Sequence, residues 1–207
     1  MISSDMLKLY FGAGGCSLSP HIALREAGIS FELCAVDFAR GKRLEDGRSF
    51  SEVSEKGYIP ALVLDDGQLL TEGCAIVQYI ADLNPDAKLA PPPGTFARVR
   101  LQEWLNFIST ELHKGAWPLH QKLTPPELQQ LVRDRLTLRL AYVAKHLADR
   151  PYLMGDFTVV DGYLFYVLRT WQRMFAGTLT DPLDAYYQRL VTRPSIRAAL
   201  NAEGISS

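Results

Sequence analysis

Leu7-Lys8-Leu9-Tyr10-Phe11-Gly12-Ala13-Gly14-Gly15-Cys16-Ser17-Leu18-Ser19-Pro20-His21 is the stretch that decides the fold. A short apolar run, a glycine-rich turn and a helix-forming segment follow one another, which predicts a strand, a tight turn and a helix. The helix is expected from about Ser17 to Ala27, with Pro20 tolerated in its first turn and Gly28 as its stop. Phe31 to Val36 reads as a second strand, and a right-handed crossover makes it parallel to the first. The polar segment from Asp37 to Arg48 is expected to be mostly loop. Beyond it, Ala61 to Leu64 and Gln68 to Thr71 flank Asp65-Asp66-Gly67, a hairpin signal, and a helix follows from about Cys74 to Leu83. The first part is therefore βαβ-ββα, an α/β unit with a mixed four-stranded sheet.

The pattern changes after Pro85, Pro91, Pro92, Pro93 and Gly94, which make a stiff connector. The expected division is residues 1–86, a linker over 87–94, and an all-α domain over 95–207. A long helix is expected from Phe96 to Lys114, ended by Gly115 and Pro118. Thr124 is expected to cap another, with Glu127 in its first turn. Thr158-Val159-Val160-Asp161 has the form of a capping box opening a helix from Val159 to about Phe175, and two short helices follow Asp181-Pro182 and Pro194-Ser195.

Composition narrows the function. In 207 residues, 47 % are hydrophobic, enough to bury a core. Lys and Arg number 22 against 23 Asp and Glu, so no global field recruits nucleic acid or an anionic membrane, and the expected partners are small or proteinaceous. Cys16, Cys34 and Cys74 form no disulfide framework, which favours a reducing, cytoplasmic compartment. No apolar run approaches the ~18 residues of a spanning helix. The histidines at 21, 113, 120 and 146 have no ligand spacing, so no metal is expected. Met6 and the five residues before it read as an alternative start or a disordered tail.

Cys16 lies just after the glycine turn, where a helix dipole favours a thiolate. At a reference pKa of ~8.5 a thiol is only ~3 % ionised at pH 7, and lowering it by ~2 units makes most of it thiolate. Cys16-Ser17-Leu18-Ser19 has the spacing of Cys-x-x-Cys with Ser19 in the second place, so a mixed disulfide formed here needs an external thiol such as glutathione to resolve it. A small buried cysteine is the plainer alternative; Cys34 and Cys74 are assigned to packing. Ile59-Pro60 precedes a strand; a cis proline there leaves the preceding backbone able to pair with an extended peptide, whereas a plain edge-strand start needs no such role. At Leu70-Thr71-Glu72-Gly73 a strand meets a helix, and Glu72 can accept from a ligand ammonium or serve only as a dipole partner. On the long helix, Asn106 and His113 are seven residues apart and are expected to share a face; His113 and Lys114 also suit a helix end.

These segments resemble the bacterial glutathione transferases of the beta class over nearly the whole chain. The resemblance is carried by Leu7-Lys8-Leu9-Tyr10, Cys16-Ser17-Leu18-Ser19-Pro20-His21, Leu24-Arg25-Glu26-Ala27-Gly28, Pro60-Ala61-Leu62, Leu70-Thr71-Glu72-Gly73, Ala75-Ile76-Val77-Gln78-Tyr79, Glu103-Trp104-Leu105-Asn106 and Glu111-Leu112-His113-Lys114-Gly115. It implies a thioredoxin-like N-terminal domain, an all-helical C-terminal domain and a homodimer. It implies that Cys16 lies beside the glutathione sulfur and forms a mixed disulfide with it, and that His113 reaches the same sulfur. Ile59, next to cis-Pro60, pairs with the cysteinyl backbone, and Glu72 and Gly73 hold the γ-glutamyl end. Asn106 matches a residue reaching glutathione in the other subunit, Lys114 a neighbouring basic contact, and the family's glutathione-contacting lysine after the second strand falls near Gly41 or Lys42, across a loop one residue longer. Ala13-Gly14-Gly15 departs from the usual Pro-Gly before Ser/Ala-Cys and predicts a looser Cys16 loop.

The expected reaction is addition of the glutathione thiolate to a soft electrophile in an apolar cleft between domains, with Tyr10, Phe11, Trp117, Trp171 and Phe175 as candidate aromatics there, a core role being the commoner alternative for each. Glutathione-dependent disulfide exchange or reductive dehalogenation through Cys16 is the alternative on the same site. A non-enzymatic binding protein of the same fold is the third reading.

Overall fold

The computed structural model describes residues 6–205, so the expectation for residues 1–5 lies outside the described residues. The chain divides into two units, Met1–Ala90 with Arg193–Ser207, and Pro91–Thr192.

The first unit contains β1 (Leu7–Phe11), α1 (Leu18–Glu26), β2 (Phe31–Ala35), β3 (Ala61–Val63), β4 (Leu69–Thr71) and α2 (Gly73–Leu83). The sheet order is β2-β1-β3-β4, with β1 parallel to β2 and antiparallel to β3, and β3 antiparallel to β4. Strand alternation explains its two faces. Tyr10 and its partner Ala61 pack with Val36, Leu44 and Phe50, and Cys34 and Ile59 lie against that cluster. Leu9 and Leu62 point the other way and are fully buried, as are Leu18, Ile22 and Leu24 of α1 and Ile76, Val77 and Ile80 of α2, in line with about 1.5–3 kcal/mol for each large aliphatic side chain removed from water.

The last segment departs from the expected division. Helix α7 (Pro194–Ala202) packs on α1, and residues from Arg193 onward group with the first unit. Arg193 makes a two-pronged bond to Glu26 at 2.7 and 2.8 Å, and Ser195 donates to the same carboxylate. Glu203 and His21, both fully buried at the side chain, pair at 2.8 Å. Arg25 Nε donates to His21 Nε2 at 2.9 Å, which leaves Nδ1 as the donor to Glu203. These partners are distant in the sequence, so local periodicity carries no trace of them.

The second unit contains α3 (Phe96–Phe107), α4 (Pro126–Leu147), α5 (Val159–Phe175) and α6 (Leu183–Val191). Two boundaries differ from expectation. The long helix ends at Phe107, continues as a π-helical segment, Ile108–His113, and then as a 3₁₀ segment, Lys114–His120, with Pro118 inside it. Thr124 does not cap α4; its hydroxyl donates to the Pro118 carbonyl at 2.7 Å, and Pro125 precedes the first turn. The capping box of α5 forms as expected, with Asp161 accepting from the Thr158 N–H at 2.8 Å. Among the described residues no helix is long and apolar enough to cross a membrane, and no group of three or more His, Cys, Asp or Glu is placed to hold a metal ion.

Candidate active site

The glycine turn is closed from within. Ser17, fully buried, accepts from the Gly12 N–H at 3.2 Å and donates to the Gly12 carbonyl at 3.4 Å, while the Gly15 N–H bonds the same carbonyl at 2.9 Å. That hydroxyl is occupied by the turn, so it does not cap α1, which starts at Leu18. Gly14 is held too, its N–H donating to Glu203 at 2.8 Å. The three-residue departure at Ala13-Gly14-Gly15 is thus a bonded turn rather than the looser loop expected. A Cβ on Gly15 would lie 3.0 Å from the Gly12 oxygen and 3.2 Å from Ile59 Cδ1, so a side chain there would require the turn or Ile59 to shift by a few tenths of an ångström.

Cys16 follows, half-buried, and its thiol donates to the Ile59 carbonyl at 3.4 Å. The Ile59–Pro60 peptide is cis. The neighbouring corner is Glu72, at φ 70°, leading into Gly73 at the start of α2; a Cβ on Gly73 would lie 3.7 Å from Pro60 Cγ. The pairings Tyr10 with Ala61 and Ala61 with Thr71 put the end of β1, the start of β3 and the end of β4 side by side, which gathers these loops at one end of the sheet. Lys42 reaches the same loops by donating to the Gly57 carbonyl at 2.7 Å.

Two residues that sequence reasoning passed over join this cluster. Lys56 Nζ and Tyr58 OH both lie 2.7 Å from Glu72 Oε1, and that carboxylate raises the pKa of the ammonium and of the phenol. Nothing in the local pattern of Lys56-Gly57-Tyr58 marks either side chain for a role. The segment's nearness in sequence to Ile59-Pro60 was the available signal.

In the helical unit, His113 sits between two tyrosines, Nδ1 at 2.7 Å from Tyr163 OH and Nε2 at 3.4 Å from Tyr166 OH. Burial, and then the charges of Lys114 and His120, lower its pKa to about 4, so the imidazole is neutral at physiological pH. Asn106 and Lys114 are exposed. The expected common face of Asn106 and His113 does not form as reasoned. A π segment bonds i to i+5 and turns less per residue than an α-helix, so His113 falls out of the α-helical phase of Asn106. His113 and His120 line an apolar pocket with Tyr166, Trp171 and Phe175, all within this unit, whereas Trp117 is 59 % exposed.

The depressed His113 pKa has a consequence for stability. The unfolded chain takes the proton first, near its ordinary pKa of 6.5, so this contribution is complete above that pH and is lost as pH falls toward about 4. The loss from this residue is expected to approach about 3 kcal/mol. Urea unfolding between pH 7.5 and 4.5 checks it, since His113→Asn should flatten the profile; an unchanged slope would contradict the burial argument.

The architecture is a thioredoxin-like unit followed in the chain by an all-helical one. The profile of the family described as "Glutathione S-transferase, N-terminal domain" matches residues 15–83. The chain is 46 % identical over 202 residues to the glutathione S-transferase GstA of Escherichia coli O157:H7, covering 96 % of this chain and 100 % of that one. Among solved structures, a ternary complex of BphK, a bacterial GST, matches with a TM-score of 0.91 at 50 % identity, over 96 % of this chain and 100 % of that one. The bacterial beta class glutathione S-transferase of Sphingomonas chungbukensis matches with a TM-score of 0.90 at 40 % identity, with the same coverage. The chain belongs to the glutathione S-transferase family, and within it to the bacterial beta class. Its reaction class is accordingly that of a transferase.

Proposed function

We propose that the protein binds reduced glutathione across the loops bearing Cys16, Ile59 and Glu72, holds its sulfur as thiolate, and adds it to soft apolar electrophiles. The observation that carries this reading is that one sheet end gathers a thiol, a strand-entry backbone and a carboxylate flanked by a lysine and a tyrosine. Glutathione has the complementary groups. Its γ-glutamyl ammonium suits Glu72 and its α-carboxylate suits Lys56 and the N–H groups at Gly73. The cysteinyl amide suits the Ile59 backbone, Lys42 near Gly57 suits the second carboxylate, and Cys16 at the start of α1, whose dipole favours negative charge, suits the sulfur. Within the helical unit, His113 offers a neutral imidazole with Lys114 next to it in the chain.

The cellular reading is detoxification in the cytoplasm by a homodimer, and two features of the helical unit support the dimer. Trp104, Phe107 and Tyr142 line an aromatic groove in which Tyr142 remains 48 % exposed, a surface suited to a second copy. Asn106 is exposed on the same helix as Trp104 and Phe107, where it is available to glutathione held by that second copy.

Calorimetric titration with reduced glutathione tests the site. Glu72→Gln removes the charge that would meet the ammonium and is expected to weaken binding about 10-fold. Its exposed pairing with Lys56 contributes little to folding, so the variant should remain as stable as the parent. Equal affinity in the two proteins would remove Glu72 from the site, and absence of binding in the parent would overturn the reading.

A further inference from the structure

We propose that Phe38 is a specificity-determining residue, an aromatic wall beside the Cys16 loop that favours flat aryl electrophiles over small alkyl ones; this rests on the transferase reading above. Phe38 follows β2 and is 46 % exposed in a polar loop. Its position is nevertheless determined. Asp37 Oδ1 accepts from the Ala39 and Arg40 N–H groups at 2.9 and 3.1 Å, and the Phe38 carbonyl accepts from Gly41 at 3.3 Å, so the turn that presents the ring is bonded on both sides.

The ring rests on bare backbone. A Cβ built on Gly12 would lie 2.9 Å from Phe38 Cε2, a distance real Cβ atoms essentially never show, and 3.0 Å from Ile59 Cδ1. Gly12 is absent from the positive-φ residues, so space for the ring and for Ile59, rather than an unusual backbone angle, is what requires glycine there. Ile59 ties that seat to the nucleophile. Its Cδ1 also approaches Gly15, the residue before Cys16, and its carbonyl accepts the Cys16 thiol. Phe38 and Ile59 thus both abut Gly12, and Ile59 bonds Cys16, so the exposed part of Phe38 lies beside the Cys16 turn and is open to an incoming apolar group. A flat ring gains stacking and apolar burial against it, whereas a small alkyl group gains little.

The test measures conjugation at saturating glutathione with 1-chloro-2,4-dinitrobenzene and with iodoacetamide. In each case the thiolate sulfur bonds to carbon and halide leaves with the electron pair, the thiol proton having gone to solvent. For Phe38→Ala the ratio of kcat/KM for the aryl to the alkyl substrate is expected to fall about 5-fold, through a raised KM for the aryl substrate. Phe38→Tyr should restore the ratio. Gly12→Ala, which displaces the ring from its seat, should shift the ratio in the same direction as Phe38→Ala. Turnover of both substrates with an unchanged ratio in Phe38→Ala would overturn this proposal alone. Failure of the parent protein to conjugate either substrate would overturn it together with the transferase reading.

Discussion

Replacing Cys16 by Ala is expected to abolish the glutathione adduct that oxidised glutathione forms on the protein, while conjugation of an aryl chloride persists. A mixed disulfide needs the protein's own thiolate as nucleophile, so its loss should slow adduct formation by roughly 100-fold or more. Conjugation uses the sulfur that glutathione brings, and the remaining loops still bind it, so that rate should fall by no more than about 10-fold. Cys34 offers little substitute. Burial, and then the neighbouring Glu32 carboxylate, push the Cys34 thiol up to about 11, which keeps it protonated at neutral pH. Intact mass after exposure to oxidised glutathione reads the first rate and aryl chloride turnover reads the second. A parallel collapse of both would mean that Cys16 serves the two reactions in one role.

The second large effect lies in the helical unit and concerns folding. Asp161 is fully buried and accepts from the Leu153 N–H at 3.1 Å, the Thr158 N–H at 2.8 Å, the Thr158 hydroxyl at 3.2 Å and the Tyr186 hydroxyl at 2.7 Å. Burial raises its pKa and these bonds act against that rise, so the carboxylate depends on all of them. Asp161→Ala leaves the donors unpaired in a dry interior and is expected to cost about 3–5 kcal/mol. Asp161→Asn keeps the shape and part of the acceptor capacity without the buried charge, and should cost about 1–2 kcal/mol. Urea unfolding of the three proteins checks the order. A loss below about 1 kcal/mol for Asp161→Ala would contradict the network's role.

Much of this was legible because the controlling interactions are local. The alternation in Leu7–Phe11 and the adjoining glycines specify β1 residue for residue, and Thr158 with Asp161 specifies the start of α5. Glycine spacing likewise placed Cys16 at the entry to α1, and the cis Ile59–Pro60 peptide lies where the expected site required it. The misses have non-local or non-periodic causes. An i→i+5 segment over Ile108–His113 leaves no mark in a pattern read at 3.6 residues per turn. Thr124 had a competing acceptor in Pro118, and α7 is held by Glu26 and His21, far away in the sequence. Lys56 and Tyr58 acquire meaning only once Glu72 is folded against them.

The most direct test of the central claim is the initial rate of aryl chloride conjugation by the reduced parent protein as glutathione is varied. The account predicts a rate that saturates with glutathione and exceeds, by orders of magnitude, that of the same glutathione in buffer. A rate that rises only linearly and matches the buffer reaction would contradict it.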